Sequence, residues 1–144
     1  ATLDHHLPRQ TFPEFAILPT NLVPACWECN HQKGSYIAYR EGEQLLHPYF
    51  DNFSERWLYA QIHHTENGVT IGYYVDPPTT WSREDIYRVN THFEVFGLAQ
   101  LFEIQAAEEL AGFEYVLQML YNEGGSELVR KHLEYCAEGC KEWR

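Results

Sequence analysis

The spacing of apolar and polar side chains divides the chain into an irregular start, a β-rich middle and a helical end. Residues 1–25 show no helical period and carry Pro8, Pro13, Pro19 and Pro24, which predicts loops and short strands as far as Cys26. Beyond a turn near Gly42, Trp57, Tyr59 and Gln61 alternate with Leu58, Ala60 and Ile62. The turn signal Glu66-Asn67-Gly68 and a second β-rich run from Val69 to Val75 follow, so this stretch predicts an antiparallel hairpin, ended by Pro77-Pro78. Ser82 followed by Asp85 has the form of a capping box, and Ile86, Val89, Phe93 and Phe96 recur at helical spacing before Gly97. A second helix is predicted from Leu98 to about Tyr121, with Leu101, Phe102, Leu110, Phe113, Leu117 and Leu120 on one apolar stripe. Gly124-Gly125 stops it, and Ser126 caps a third helix carrying Leu128, Val129, Leu133 and Cys136. The expected fold class is α+β.

Composition narrows what such a chain can be. With 144 residues, 44% of them hydrophobic and 15% aromatic, it is long enough to bury a core and is neither a disordered tail nor a low-complexity segment. No apolar run approaches the roughly 18 residues of a membrane span, so no membrane partner is expected. The chain opens at Ala1 without Met and enters its densest polar cluster by Asp4 and His5, which reads as a fragment whose upstream segment is missing. The formal charge of −11 argues against a free-standing binder of polyanions. Its distribution sharpens that statement. Over residues 1–40, Asp4, Glu14 and Glu28 balance Arg9, Lys33 and Arg40, so residues 41–144 carry the whole −11 and the two parts face different partners. The four cysteines form two close pairs, Cys26-x-x-Cys29 and Cys136-x-x-x-Cys140, a spacing of metal ligands or reduced thiols that points to the cytoplasm.

The chemistry concentrates in Asp4-His5-His6-Leu7-Pro8, Asn21-Leu22-Val23-Pro24 and Cys26-x-x-Cys29-Asn30-x-x-Lys33. A carboxylate beside an imidazole, joined by amides about 25 residues later, is a set suited to a divalent metal and a general base. Asp4 supplies a hard oxygen for Mg²⁺ or Mn²⁺, and Asn30 completes the protein's share while leaving room for water and phosphate oxygens. His5 has the pKa to take a proton from water near neutral pH. Strand neighbours point to opposite faces, so Asp4 and His5 converge only where the strand bends or twists.

These motifs, spanning residues 3–34, resemble the signature of the HNH endonuclease family, whose ββα-metal fold sets two short strands and a helix around one divalent ion. The resemblance implies an HNH module over residues 1–50 and a hairpin plus three-helix region over residues 51–144. It implies that Asp4 ligates the metal, with Asn30 as second ligand and His31 as the alternative, and that His5 is the general base. Asn21 would orient His5 or brace its loop, and Lys33 would lie near the substrate phosphates. Together with Phe12-Pro13-Glu14-Phe15 and His47-Pro48-Tyr49-Phe50-Asp51, the motif is similar, more narrowly, to the PtuB-like HNH subunit of Septu and retron anti-phage systems, which works with an ATPase partner. That group carries a Cys-x-x-Cys upstream of the Asp-His strand.

Other features have blander readings beside sharper ones. Cys26 and Cys29 are either half of a four-thiolate zinc site, completed upstream or by Cys136 and Cys140, or a pair of small reduced residues. His63-His64 reads as an exposed pair, His47 as a structural hydrogen-bonding residue and His6 as a support residue facing away from His5. Phe93, Phe96, Phe102 and Phe113 read as core, and Glu103, Glu108, Glu109 and Glu114 as a solvated face or a docking surface for a protein. Two functions compete: a metal-dependent endonuclease acting on DNA with a partner docked on residues 82–144, and a catalytically silent, zinc-stabilised scaffold. The adjacent carboxylate and base favour the nuclease, because a scaffold has no need of them.

Overall fold

In the computed structural model, which describes residues 1–66 and 68–139, the chain is α+β, with two small antiparallel sheets and three helices. β1 (Thr2–His5) and β2 (Leu22–Ala25) pair antiparallel, with Asp4 opposite Val23 and His5 opposite Leu22. The connection between them makes two 3₁₀ turns, Pro13–Phe15 and Pro19–Asn21, each opened by a proline whose fixed φ and missing N–H suit a first helical position. α1 (Trp27–Lys33) follows β2 directly. Cys26 caps it by accepting the Cys29 N–H at 3.3 Å, and Gly34 ends it at φ +52°, a conformation that L side chains rarely adopt.

β3 (Leu58–Thr65) and β4 (Gly68–Val75) form the expected hairpin, in register from Leu58 opposite Val75 to Thr65 opposite Gly68. Asn67, within the turn signal, lies outside the described residues. α2 (Arg83–Val95) starts where the capping pattern put it: Ser82 Oγ accepts the Asp85 N–H at 3.0 Å and donates to the Asp85 carboxylate at 2.8 Å. α2 packs over the segment that follows α1. Val89 is fully buried, Leu45 and Leu98 nearly so, and Arg88 grips Asp51 through two parallel contacts of 3.0 and 2.5 Å.

α3 (Leu98–Gly139) is interrupted at Gly125, whose φ of 67° and ψ of −162° are not helical. The expected stop and restart at Gly124-Gly125-Ser126 therefore falls inside this element. Phe113 and His132 lie with ring centroids 6.4 Å apart, whereas on one straight helix 19 residues span about 28 Å, so the chain turns back at Gly125. The chain divides into two units, residues 1–103 and residues from Ile104 onward. The hairpin and α2 fall in the first unit, where Val89 of α2 and Leu45 are buried and Arg88 pairs with Asp51. Among the described residues no helix is long and apolar enough to cross a membrane.

Candidate functional site

Alternation along β1 sends Thr2 and Asp4 toward α1 and His5 toward the connection that follows. The order strand, strand, helix brings the Asp4, His5 and Asn30 positions around one open cleft of about 300 Å³, whose rim also carries Arg9, Gln10 and Ser35. Among the described residues β1 has a neighbour on one side only, and both Asp4 and His5 line the cleft. The opposed directions of two strand neighbours therefore do not keep them from a common space.

Each side chain is held by a specific partner. His5 Nε2 donates to the carbonyl of Ala16 at 3.0 Å. A carbonyl can only accept, so in the neutral ring the proton sits on Nε2 and Nδ1 keeps a bare lone pair. Asn21 is buried, and its side-chain hydrogen bonds among the described residues go elsewhere than His5. Its Oδ1 accepts the Leu7 N–H at 2.7 Å, and its Nδ2 donates to the carbonyls of Leu7 at 3.1 Å and Phe15 at 3.0 Å. Of the two roles open to it, Asn21 thus fills the bracing one: it ties both ends of the loop that presents Ala16. Asn30 Nδ2 donates to Thr2 Oγ1 at 3.0 Å, which turns one amide hydrogen to the strand and leaves the amide oxygen as a donor atom.

Lys33 departs from the expectation that it meets substrate phosphate. Its side chain is 1% exposed, and its ammonium lies 3.0 and 3.2 Å from the two Asp4 carboxylate oxygens and 2.6 Å from the His5 carbonyl. The reason is helical phase: Lys33 sits three residues after Asn30, on the face that covers β1, so it meets Asp4 before it meets solvent. His31, the alternative ligand, is exposed and stacks on Trp27 with centroids 5.0 Å apart and rings 5° from parallel.

A divalent ion would find its oxygen donors in Asp4 and Asn30. A carboxylate offers about four lone-pair sites, of which Lys33 occupies two, and the Asn30 amide oxygen is a second hard donor. Among the described residues no group of three His, Cys, Asp or Glu side chains could hold a metal, so neither Asp4 and His5 nor Cys26 and Cys29 gather a third such ligand there. Burial, then the hydrogen bond and charge of Cys26, push the Cys29 thiol up to about 12. Cys136 Sγ lies 3.7 Å from His132 Nε2 on its own helix, and Cys140 lies outside the described residues.

Behind the cleft, three histidines act as structure. His47 Nε2 donates to the carbonyl of Thr20 at 2.9 Å and its Nδ1 accepts the Tyr49 N–H at 3.2 Å, the structural role expected for it. His6 packs on the His47 ring at 4.4 Å, and burial, then His47 and Lys33, lower its pKa to about 4. His92, which sequence reasoning did not single out, accepts the Leu46 N–H at 3.1 Å and is lowered to about 4 by burial, then Arg88. The His63-His64 pair is exposed. Arg9 and the Ala16 carbonyl were also missed; a lone loop arginine and a backbone oxygen leave no motif.

Among curated proteins the chain is similar to Protein ea31 of Escherichia phage lambda, at 38% identity over 113 residues. The alignment covers 76% of this chain and 38% of the relative, so the chain spans well under half of that protein's length. No protein-family model matches the chain, and no solved structure matches it.

Proposed function

We propose that the N-terminal part of this chain is an HNH-type, metal-dependent endonuclease module that hydrolyses phosphodiester bonds in DNA. The observation that carries the proposal is the pairing of a fixed imidazole with hard oxygen donors at one open cleft. The His5 ring is locked by Ala16, with Asp4 and Asn30 beside the same space. Asp4 and Asn30 would hold Mg²⁺ or Mn²⁺, and the ion, when bound, would supply Lewis-acid stabilisation of the charge that develops on the phosphate and the departing 3′ oxygen. His5 Nδ1 takes the proton from the attacking water, and the imidazolium that forms keeps its Nε2–H on the Ala16 carbonyl, so the ring need not turn during the reaction. Asn21 holds the loop that carries this carbonyl, and Lys33 fixes the Asp4 carboxylate from behind.

The acidic helical region then serves as a docking part for a protein partner. The resemblance to the anti-phage nucleases supplies the rest of the reading: an ATPase partner and a cytoplasmic complex. A structural zinc on Cys26 and Cys29 belongs to the same proposal, with further ligands outside the described residues. One observation favours the second reading, a silent scaffold: the Lys33 ammonium already neutralises the buried Asp4 carboxylate, as a protein without a metal would require.

Plasmid cleavage separates the two. The nuclease reading expects cleavage with Mg²⁺ or Mn²⁺ that chelation stops and that His5→Ala lowers by about 10²–10⁴-fold while DNA binding is kept. Undiminished cleavage by His5→Ala, or none by the wild type with its partner present, would sink it.

A further inference from the structure

The burial of Lys33 leaves the cleft in need of another cation, and the structure supplies one. Resting on the nuclease reading, we propose that Arg9 is the phosphate-binding residue of this site. It would take a non-bridging oxygen of the substrate backbone, with Gln10 and Ser35 as neutral partners on the same rim.

The charges of the N-terminal part decide the assignment. Of its three cations, Lys33 is spent on Asp4, and Arg40 lies 3.9 Å from Glu43 on an exposed turn. Arg9 is exposed, lines the cleft with Asp4, His5 and Asn30, and makes no ion pair among the described residues. Its backbone is held in a turn: the Thr11 and Phe12 N–H groups both donate to the carbonyl of Pro8, at 3.0 and 2.9 Å, so Arg9 and Gln10 stand at the tip of a closed turn. Pro8 is buried, which anchors that turn against the module. Ser35 Oγ reaches Gln10 Oε1 at 3.5 Å from the far side, just past the end of α1, leaving the Gln10 amide hydrogens for a ligand. A planar guanidinium matches two phosphate oxygens at once, which an ammonium does not. In a chain of charge −11 the rim thus offers a local attraction that the rest of the surface opposes.

The test uses the full-length protein with its partner, a short duplex oligonucleotide and Mn²⁺, in wild type, Arg9→Gln, Arg9→Lys and the distant control Arg40→Gln. Arg9→Gln is expected to raise KM about tenfold with kcat changed less than threefold. In the His5→Ala background it should reduce the slope of log binding constant against log salt by about 0.9, one phosphate contact. Arg9→Lys should recover part of the KM effect, and Arg40→Gln should match the wild type; thermal melts confirm that each variant is folded. If the wild type cleaves while Arg9→Gln keeps its KM and its salt slope, the assignment to Arg9 is wrong and the nuclease reading stands. If the wild type does not cleave at all, the nuclease reading falls and takes the role of Arg9 with it.

Discussion

His92 shows how a single side chain ties the fold to solution conditions. Its Nδ1 accepts the Leu46 N–H, and the charged Arg88 beside it adds to burial in holding the ring neutral, with only Asp51 acting the other way. In the unfolded chain the imidazole titrates near 6.5, in the folded one near 4, so the unfolded state binds more protons between those values. The stability that His92 contributes is complete above about pH 6.5 and is lost as pH falls toward 4. Melting temperature should therefore decline from pH 6.5 to 5; His6, also lowered to about 4, adds to the same decline, so His92→Gln, which can still accept the Leu46 N–H, should make it shallower without removing it. A variant as steep as the wild type would show that other groups set it. Asp51 does not confuse this window. Burial opposes its ionisation, but the bonds from Arg88 and the His47 N–H hold its pKa below the ordinary value. At this scale the sequence brought Asp4, His5 and Asn30 forward, and the structure places all three on one cleft. The sequence misplaced Lys33, because a motif spacing does not say whether a lysine ends in solvent or on a carboxylate 29 residues away.

Among the elements, the connection between β1 and β2 matters as much as the strands, since Asn21 and the carbonyls of Ala16 and Thr20 belong to it. Prolines at the start of both 3₁₀ turns made its irregularity legible, but not the direction of its carbonyls. The helical hairpin from residue 104 is the opposite case. Its break was legible in Gly124-Gly125, and the structure narrows it to Gly125, whose backbone lies where essentially only glycine is stable. Gly125→Ala is expected to destabilise this hairpin by about 1–3 kcal/mol. Amide hydrogen exchange should report the loss over residues 104–139 and not over β1, β2 and α1; unchanged protection on both arms would mean that the turn tolerates a side chain.

For the whole molecule, the charge of −11 and the exposed apolar side chains of the helical hairpin bear on the same question of partners. The stripe residues Leu110, Phe113, Leu117 and Leu120 are half-buried, while Tyr115 and Tyr135 are more than 70% exposed and Met119 and Leu133 nearly half, so the described part of the hairpin leaves apolar surface open. With Glu108, Glu109 and Glu114 on the same arm, that surface suits a partner that is apolar and basic, and repels phosphate. The isolated chain should accordingly bind duplex DNA with a Kd weaker than about 10⁻⁴ M at physiological salt, and tightly only when its partner is added. Tight binding by the chain alone, measured by fluorescence anisotropy, would contradict the proposed division between a neutral catalytic part and an acidic docking part.

Local physics made much of this protein readable in one dimension. The β3–β4 hairpin, the Ser82 cap of α2 and the stop near Gly125 depend on residues close in the chain, where periodicity, turn chemistry and capping act. Three decisions came only with the tertiary structure: Lys33 pairs with Asp4, a main-chain carbonyl fixes which nitrogen of the neutral His5 ring carries the proton, and Arg9 is a cation that lines the cleft. Each depends on the direction in which one segment faces another, and a backbone carbonyl or a lone arginine carries no residue pattern from which that direction can be inferred.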